Sequence, residues 1–336
     1  MDCCEYGPMV YCTGLVSCNE PGENHLSTFI SDEKHRRVLE TCVDVPEEFP
    51  AFPMPLQKVG ISGKTVWVSL ASNKGGHLPF TARIFVNLPA NRRGIHMSRI
   101  EQAITTLHDK QFSSLSEYGK LLGSHVLDTQ NAQHVSLELT GQMPFIQNAP
   151  VSRLTSIDSI EVRFSVELEK NENKTTGEMQ VSAAVYHLTA CPCTLAYNKA
   201  LFNRFDDPWP QATHSQRSKT ELSVSSPDYI QLPAYNVLVD ILDEVLHVSQ
   251  DLLKRPDETE LVLKAHRCPQ FAEDTVREVA RAAGEKFKDI LPPETGIQIK
   301  TLSLESIHIH DVECCLDTQL GEILAASAAI EKEQNK

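Results

Sequence analysis

The stretch Ser159-Ile-Glu-Val-Arg-Phe-Ser-Val-Glu-Leu-Glu-Lys170 alternates along its whole length. Ile160, Val162, Phe164, Val166 and Leu168 fall on one side, and charged or hydroxyl residues on the other. A period of two marks a strand with one buried face and one wet face. Residues 179–189 alternate again, and residues 171–178 between them read as a turn. The pair predicts antiparallel strands with one face against a core.

Upstream, residues 64–70 and 80–88 are β-rich, with Gly75-Gly76 between them, and predict a hairpin. Ser98 is the expected cap of a helix over about 98–110. A second helix fits 114–129, with Leu115, Tyr118, Leu121, Leu122 and Val126 on one face. A strand is expected over 134–145. Downstream of 189, a short strand is expected over 221–225, helices over 234–253 and 271–290, a strand over 296–309, and a helix or tail from 320. The order strand-strand-helix-helix-strand thus occurs twice, an α+β pattern with helices on one sheet face. The expected domains are a partly disordered extension over 1–57, where Pro46, Pro50, Pro53 and Pro55 cluster, a first unit over 58–150, a second over 151–312, and a C-terminal tail or helix over 313–336. Open sheet edges favour association of several copies.

Composition narrows the function. The 336 residues are 41% hydrophobic and 23% charged, as in a folded protein, and carry a formal net charge of −14. That balance argues against a nucleic-acid binder, which needs a basic face. The first residues show no secretory signal, and no apolar run reaches membrane-spanning length. The ten Cys are scattered or adjacent, unlike a disulfide scaffold. The expectation is a reduced, cytoplasmic protein with no membrane partner.

Chemistry-bearing residues cluster in five places. Cys191-Pro-Cys193 and His214-Ser-Gln-Arg217 bring thiols and an imidazole to the two ends of one loop, ligand types that suit zinc or iron(II). Lys254-Arg-Pro-Asp-Glu258 follows the helix expected over 234–253. Pro256 is expected to stop that helix and place Glu258 in a rigid connector. Phe271-Ala-Glu-Asp274 opens a helix, where acidic residues are favoured by the helix dipole whatever else they do. Glu305-Ser-Ile-His-Ile-His-Asp311 ends the expected last strand and would put His308 and His310 on one side. Arg93, His96, Ser98 and Arg99 form the last cluster, which capping and solvated charge also explain.

These motifs, together with Arg93-Gly-Ile-His-Met-Ser-Arg99 and in this order from about Val59 to Asp311, resemble the type IB, prokaryotic-type GTP cyclohydrolases. The resemblance implies a tunnelling fold, with two tandem antiparallel-sheet units each carrying a helix pair on one face. It also implies a homotetramer with sites at subunit interfaces. It implies one divalent metal per site (zinc, manganese or iron(II)) on Cys191, His214 and Glu258, with Cys193 the alternative thiol. By the same resemblance Glu273 anchors the guanine base of GTP, since a carboxylate's two oxygens match the adjacent N1–H and N2–H₂ donors. His308 and His310 move protons. Arg93, His96, Ser98, Arg99, Arg217, Lys254, Arg255 and Glu305 contact the substrate, the cations forming a local positive field for the triphosphate. The implied reaction adds water at C8, releases formate and gives 7,8-dihydroneopterin triphosphate, the first step of tetrahydrofolate biosynthesis.

Three features depart from the family pattern. Twenty residues separate Cys193 from His214 and are expected to form an extra loop. Ile309 stands where a polar residue is usual, and residues 1–50 have no counterpart. Three alternatives remain: the archaeal-type iron(II) cyclohydrolase giving a cyclic phosphate, a nitrile reductase of queuosine synthesis, and a purine- or pterin-binding paralogue without turnover. The nitrile reductase would need a Cys nucleophile but not the set His214, Glu258 and His308.

Overall fold

A computed structural model describes residues 29–73, 76–171, 174–227 and 232–334. Residues 1–28 of the expected extension, Gly75 of the expected hairpin turn, and Asn173 and its neighbour Glu172 lie outside the described residues. The chain divides into two compact units, Met1–Asp44 and Val45–Lys336. In the first, residues expected to be loosely ordered form a helix, α1 (Asp32–Thr41). Ser31 caps it, its side-chain oxygen accepting from the Lys34 N–H at 3.4 Å, and Asp32 and Glu33 sit in the first turn, where the helix dipole favours them.

The second unit is built on one sheet. In chain order its elements are β1 (Leu56–Leu70), β2 (His77–Leu88), α2 (Met97–Leu107), β3 (Gln111–Phe112), α3 (Leu115–Thr129), β4 (His134–Asn148), β5 (Thr155–Asn171), β6 (Lys174–Ala190), α4 (Pro192–Leu201), β7 (Ser215–Pro227), α5 (Tyr235–Val245), α6 (Arg255–Arg267), α7 (Ala272–Phe287), β8 (Gly296–Leu304), β9 (Val312–Gln319) and α8 (Leu320–Gln334). The strand order is β3-β1-β2-β4-β5-β6-β7-β8-β9, antiparallel throughout except for β1 with β3. The expectation of two tandem sheet units is therefore corrected. β4 and β5 pair without interruption from His134↔Glu169 to Asn148↔Thr155. That long hairpin fuses both halves into one nine-stranded α+β sheet.

Alternation decides the faces. Ile160, Val162, Phe164, Val166 and Leu168 of β5 are buried and join one continuous core with the inner faces of α2, α3, α5, α7 and α8. α3 lies close on β5 at Gly119, where a Cβ would overlap the buried Phe164 ring, so glycine is the residue that fits there. The opposite face is polar. Arg83 pairs with Glu138 at 3.4 Å across the neighbouring strands β2 and β4, while Lys219 with Glu161 at 2.6 Å and Arg163 with Glu221 reach over β6 from β5 to β7.

Element ends differ from expectation in ways that matter to the site. The helix expected over 98–110 starts at Met97, with His96 rather than Ser98 as N-cap. The loop expected after Cys193 begins as helix α4, with Pro192 at its start, a position that needs no N–H donor, and continues without helix or strand from 202 to 213. β7 runs 13 residues, well beyond the expected 221–225. The helix expected over 234–253 stops at Val245. Residues 247–249 instead pair with β6: Leu188 N–H donates to His247 O at 2.9 Å and Ser249 N–H to Tyr186 O at 2.9 Å. Pro256 opens α6 rather than closing α5, because proline's fixed φ suits a first turn. The strand expected over 296–309 ends at Leu304, the unexpected strand β9 follows, and the helix or tail expected from about 320 is helix α8. Among the described residues no helix is long and apolar enough to cross a membrane.

Candidate active site

β6 and β7 pair up to the last residue of β6 and the first of β7, Ala190↔Ser215. Cys191 and His214 follow directly, and Cys191 N–H donates to His214 O at 3.0 Å. Thr213 Oγ1 adds a bond to Cys191 O at 2.7 Å. The loop between the two residues is thus closed as tightly as a strand end. Cys191 is partly covered and caps α4, with Thr194 Oγ1 3.6 Å from its sulfur. Cys193 is exposed on the first turn.

The pairing of Arg217 with Leu304 brings the β8–β9 loop to the same end. His308 and His310 therefore sit in a loop, not on a strand. They converge by ring contact instead. The His308 and His310 rings stack at 5.3 Å and 21°, and His214 meets His308 edge-on at 6.3 Å. Gln216, absent from the expected set, orients His214: its Oε1 lies 3.2 Å from Nδ1. With Nδ1–H donating there, Nε2 keeps a lone pair for a ligand. Position i+2 on the strand was the signal for it. Glu305 accepts from Ser303 Oγ at 3.0 Å, and the Arg217 guanidinium stacks 5.2 Å over Tyr186.

Glu258 lies exposed on the first turn of α6, which follows Lys254 as N-cap and begins at Arg255. Its neighbour Asp257 is fully buried. Burial opposes that charge, but N–H donors of Ser152, Lys254 and Val151 outweigh it and hold the carboxyl far below its usual range. In α7, Asp274 does the capping, accepting from Phe271 N–H at 3.1 Å. Glu273 is exposed and not used as a cap. It lies near β9, where burial and then the Glu273 charge raise the Cys314 thiol.

The first-half cluster is elsewhere. His96 Nε2 and Arg92 Nη2 both contact Glu47 Oε1, at 3.0 and 2.7 Å. The His96 bond, with Arg92 behind it, lowers the Glu47 carboxyl against a burial cost. Arg93 pairs with Glu48 at 2.8 Å, Arg99 Nη1 donates to Thr129 O at 3.2 Å, and Ser98 is exposed. Glu47 and Glu48 lie in the stretch expected as extension. Gln130 Nε2 donates to His96 O at 2.7 Å, so this cluster sits where β4 begins. Cys191 sits where β6 ends. β6 runs 17 residues between those two sheet ends, on the order of 50 Å at about 3.3 Å per residue. One chain does not bring the two clusters together.

A thiol, an imidazole with a spare lone pair and a carboxylate form a donor set that fits a borderline divalent ion. The ligand atoms of Cys191, His214 and Glu258 are not gathered within 4.8 Å among the described residues; the one such set includes Glu47 and His96. There Arg92 occupies the same carboxylate oxygen, and its charge opposes a cation.

Residues 42–313 match the family model described as type I GTP cyclohydrolase folE2. The chain belongs to that family. Similar curated proteins are GTP cyclohydrolase MptA of Methanobrevibacter smithii, 26% identical over 306 residues with 85% of this chain and 98% of that protein covered, and GTP cyclohydrolase MptA 2 of Methanocella arvoryzae, 29% identical over 294 residues with 80% and 93% covered. These relatives are archaeal. The expected dihydroneopterin triphosphate product and folate-pathway step are corrected accordingly, in favour of the archaeal-type alternative. A solved structure of similar fold is a uricase from Bacillus fastidious, with TM-score 0.51, 9% identity, and 82% of this chain and 96% of that chain covered. Fold comparison thus leads to a uricase-like single sheet, which replaces the expected tandem tunnelling-fold units.

Proposed function

We propose that this protein is an archaeal-type, metal-dependent GTP cyclohydrolase that opens the guanine imidazole ring at C8, releases C8 as formate and yields a pterin carrying a cyclic phosphate. The observation that carries this reading is the convergence of His214, His308 and His310 beside Cys191. Cys191, His214 and Glu258 would hold one divalent cation, iron(II) before zinc or manganese. Such an ion supplies a Lewis acid and makes water a nucleophile near neutral pH. Stacked His308 and His310 can pass a proton between them and the ring nitrogen that leaves. Glu273, uncommitted to its helix cap, is available to accept from guanine N1–H and N2–H₂.

Arg217, Lys254 and Arg255 lie at the Cys191 end of the sheet and are assigned to the phosphates. Arg93, His96, Ser98 and Arg99 lie at the other end, so their part in the same site requires a second copy of the chain. That separation supports sites at subunit interfaces, and the family resemblance supports a homotetramer as the assembly that forms them.

The test incubates purified protein anaerobically with GTP and each of iron(II), manganese(II) and zinc(II), following formate and product mass. Formate with a cyclic phosphate product is expected. No formate with any metal overturns the activity, and a triphosphate product overturns the archaeal assignment.

A further inference from the structure

We infer that Asp257 is the positioning residue for Glu258, fixing the first turn of α6 against the β4–β5 turn and so setting where the candidate metal carboxylate stands. The inference rests on Glu258 being a ligand. Glu258 itself has no side-chain hydrogen bond among the described residues, and it stands on the helix turn that Asp257 holds. Asp257 is buried completely although charged. Its Oδ1 accepts from Val151 N–H and Ser152 N–H, each at 2.8 Å, more than a hundred residues away in sequence. Its Oδ2 accepts from Lys254 N–H at 2.9 Å. One carboxylate therefore ties a helix start to the hairpin that joins the two halves of the sheet.

The connector before it is stitched in the same way. Residues 247 and 249 bond to Leu188 and Tyr186 of β6, a few residues before Cys191. Asp251 N–H donates to Asp158 Oδ1 at 2.9 Å and Leu252 N–H to Ser156 Oγ at 3.1 Å, both on β5. The connector thus runs between the strand that delivers Cys191 and the strand that leaves the β4–β5 turn. Asp257 is its last fixed point before Glu258. A helix cap alone would need only the Lys254 bond; the two bonds to the far turn add nothing to the helix and orient it. The local sequence signals the cap but not those distant partners.

Asp257→Asn separates the two duties. An amide has one acceptor oxygen, so it can keep either the turn bonds or the Lys254 bond, not both. The measurement is zinc(II) affinity by competition with a chromophoric chelator, below the unfolding temperature, alongside the thermal midpoint. Asp257→Asn is expected to weaken zinc about tenfold or more, the scale of lost outer-shell support. Ser114→Ala, which removes the α3 cap where Ser114 Oγ accepts from Glu117 N–H at 3.1 Å, is expected to lower the midpoint and leave zinc affinity alone. Ser156→Ala loosens the same connector more gently and serves if Asp257→Asn does not fold; a smaller loss of affinity is expected. Wild-type affinity in folded Asp257→Asn, or in Ser156→Ala where Asp257→Asn fails to fold, overturns the positioning role. Glu258→Gln is titrated in parallel: unchanged affinity there overturns the ligand assignment itself, while a loss there with Asp257→Asn unaffected overturns positioning alone.

Discussion

On β2 the helix-facing residues Phe80, Ala82, Ile84, Val86 and Leu88 are all apolar and buried. β6 begins in the same way, with Val181, Ala183 and Val185, then continues with His187 and Thr189, which are just as buried. β7 and β8 change at the same level. Leu222 and Val224 give way to Ser218 and Thr220, and Ile297 and Ile299 to Thr301 and Ser303. Burying such groups is costly unless they bond. Here they bond to each other across the strands: His187 to Thr220 at 2.8 Å, Thr220 to Thr301 at 2.8 Å, and Thr189 to Ser218 at 2.9 Å. The difference between the regions is one of specificity. Aliphatic side chains tolerate small shifts of one strand along the next, whereas a bonded polar layer accepts only one register. That layer lies directly beneath the strand ends bearing Cys191, His214 and the His308/His310 loop.

The sharpest break of this comparison separates chemistry from stability. Cys191→Ala is expected to abolish formate release and metal binding, with a stability change of about 0.5 kcal/mol or less, because the side chain is only partly covered and its backbone bonds remain. Surviving metal and activity would move the ligand role to Cys193. Ile84→Ala in the apolar half should do the reverse. It leaves a cavity at a fully buried position and should cost about 2–5 kcal/mol in urea unfolding, while metal affinity of the folded fraction stays at wild type.

The apolar half was also the more legible in sequence. Alternation at 159–170 located β5, and Ser114 marked the start of α3, where its side chain does accept from Glu117 N–H. The active end was less legible because tertiary pairing overrode local pattern. Apolar residues continue past Val245 in a helical period, yet residues 247–249 leave the helix to bond β6. His308 and His310 have strand spacing, but they meet by stacking in a loop. Fusion of the two halves depends on β4 pairing with β5, which no period within either strand encodes. The residue types of the candidate site stand in the sequence as motifs. Of their supports, Gln216 was signalled only by its place two residues after His214, and Asp257 and Glu47 were not, since each is defined by its partner.

A smaller effect tests whether the polar layer is held by its bonds. Thr220→Val keeps shape and removes the hydroxyl that both His187 and Thr301 use. The partners left unsatisfied should cost about 1–3 kcal/mol. A neutral or stabilising result would mean that burial alone explains the layer, and the contrast with β2 would lose its physical content.

The smallest effect is near neutral pH and grows on acidification. Burial holds the His187 imidazole down at about 3 against its ordinary 6.5, and the charge of His247 adds to the depression. His247 itself is lowered by burial. The sign follows from proton counting. Below about 6.5 the unfolded chain takes up a proton on this side chain, and the folded protein does not until about 3. Stability from the neutral imidazole is therefore fully present above 6.5 and drains away as pH falls through that window. One proton limits the slope from His187 to about 1.4 kcal/mol per pH unit. His187→Gln keeps an amide donor for Thr220 and cannot titrate. Urea midpoints at about pH 7.5, 6.5, 5.5 and 4.5 should fall more steeply for wild type than for His187→Gln below 6.5, and run parallel above it. Identical pH dependence in the two proteins would show that the polar layer carries no titrating imidazole. The acid sensitivity of this fold would then have to come from His247, which burial also lowers, and from carboxylates such as Asp257, whose lowered pKa also makes stability fall with acidification, but at lower pH than the His187 window.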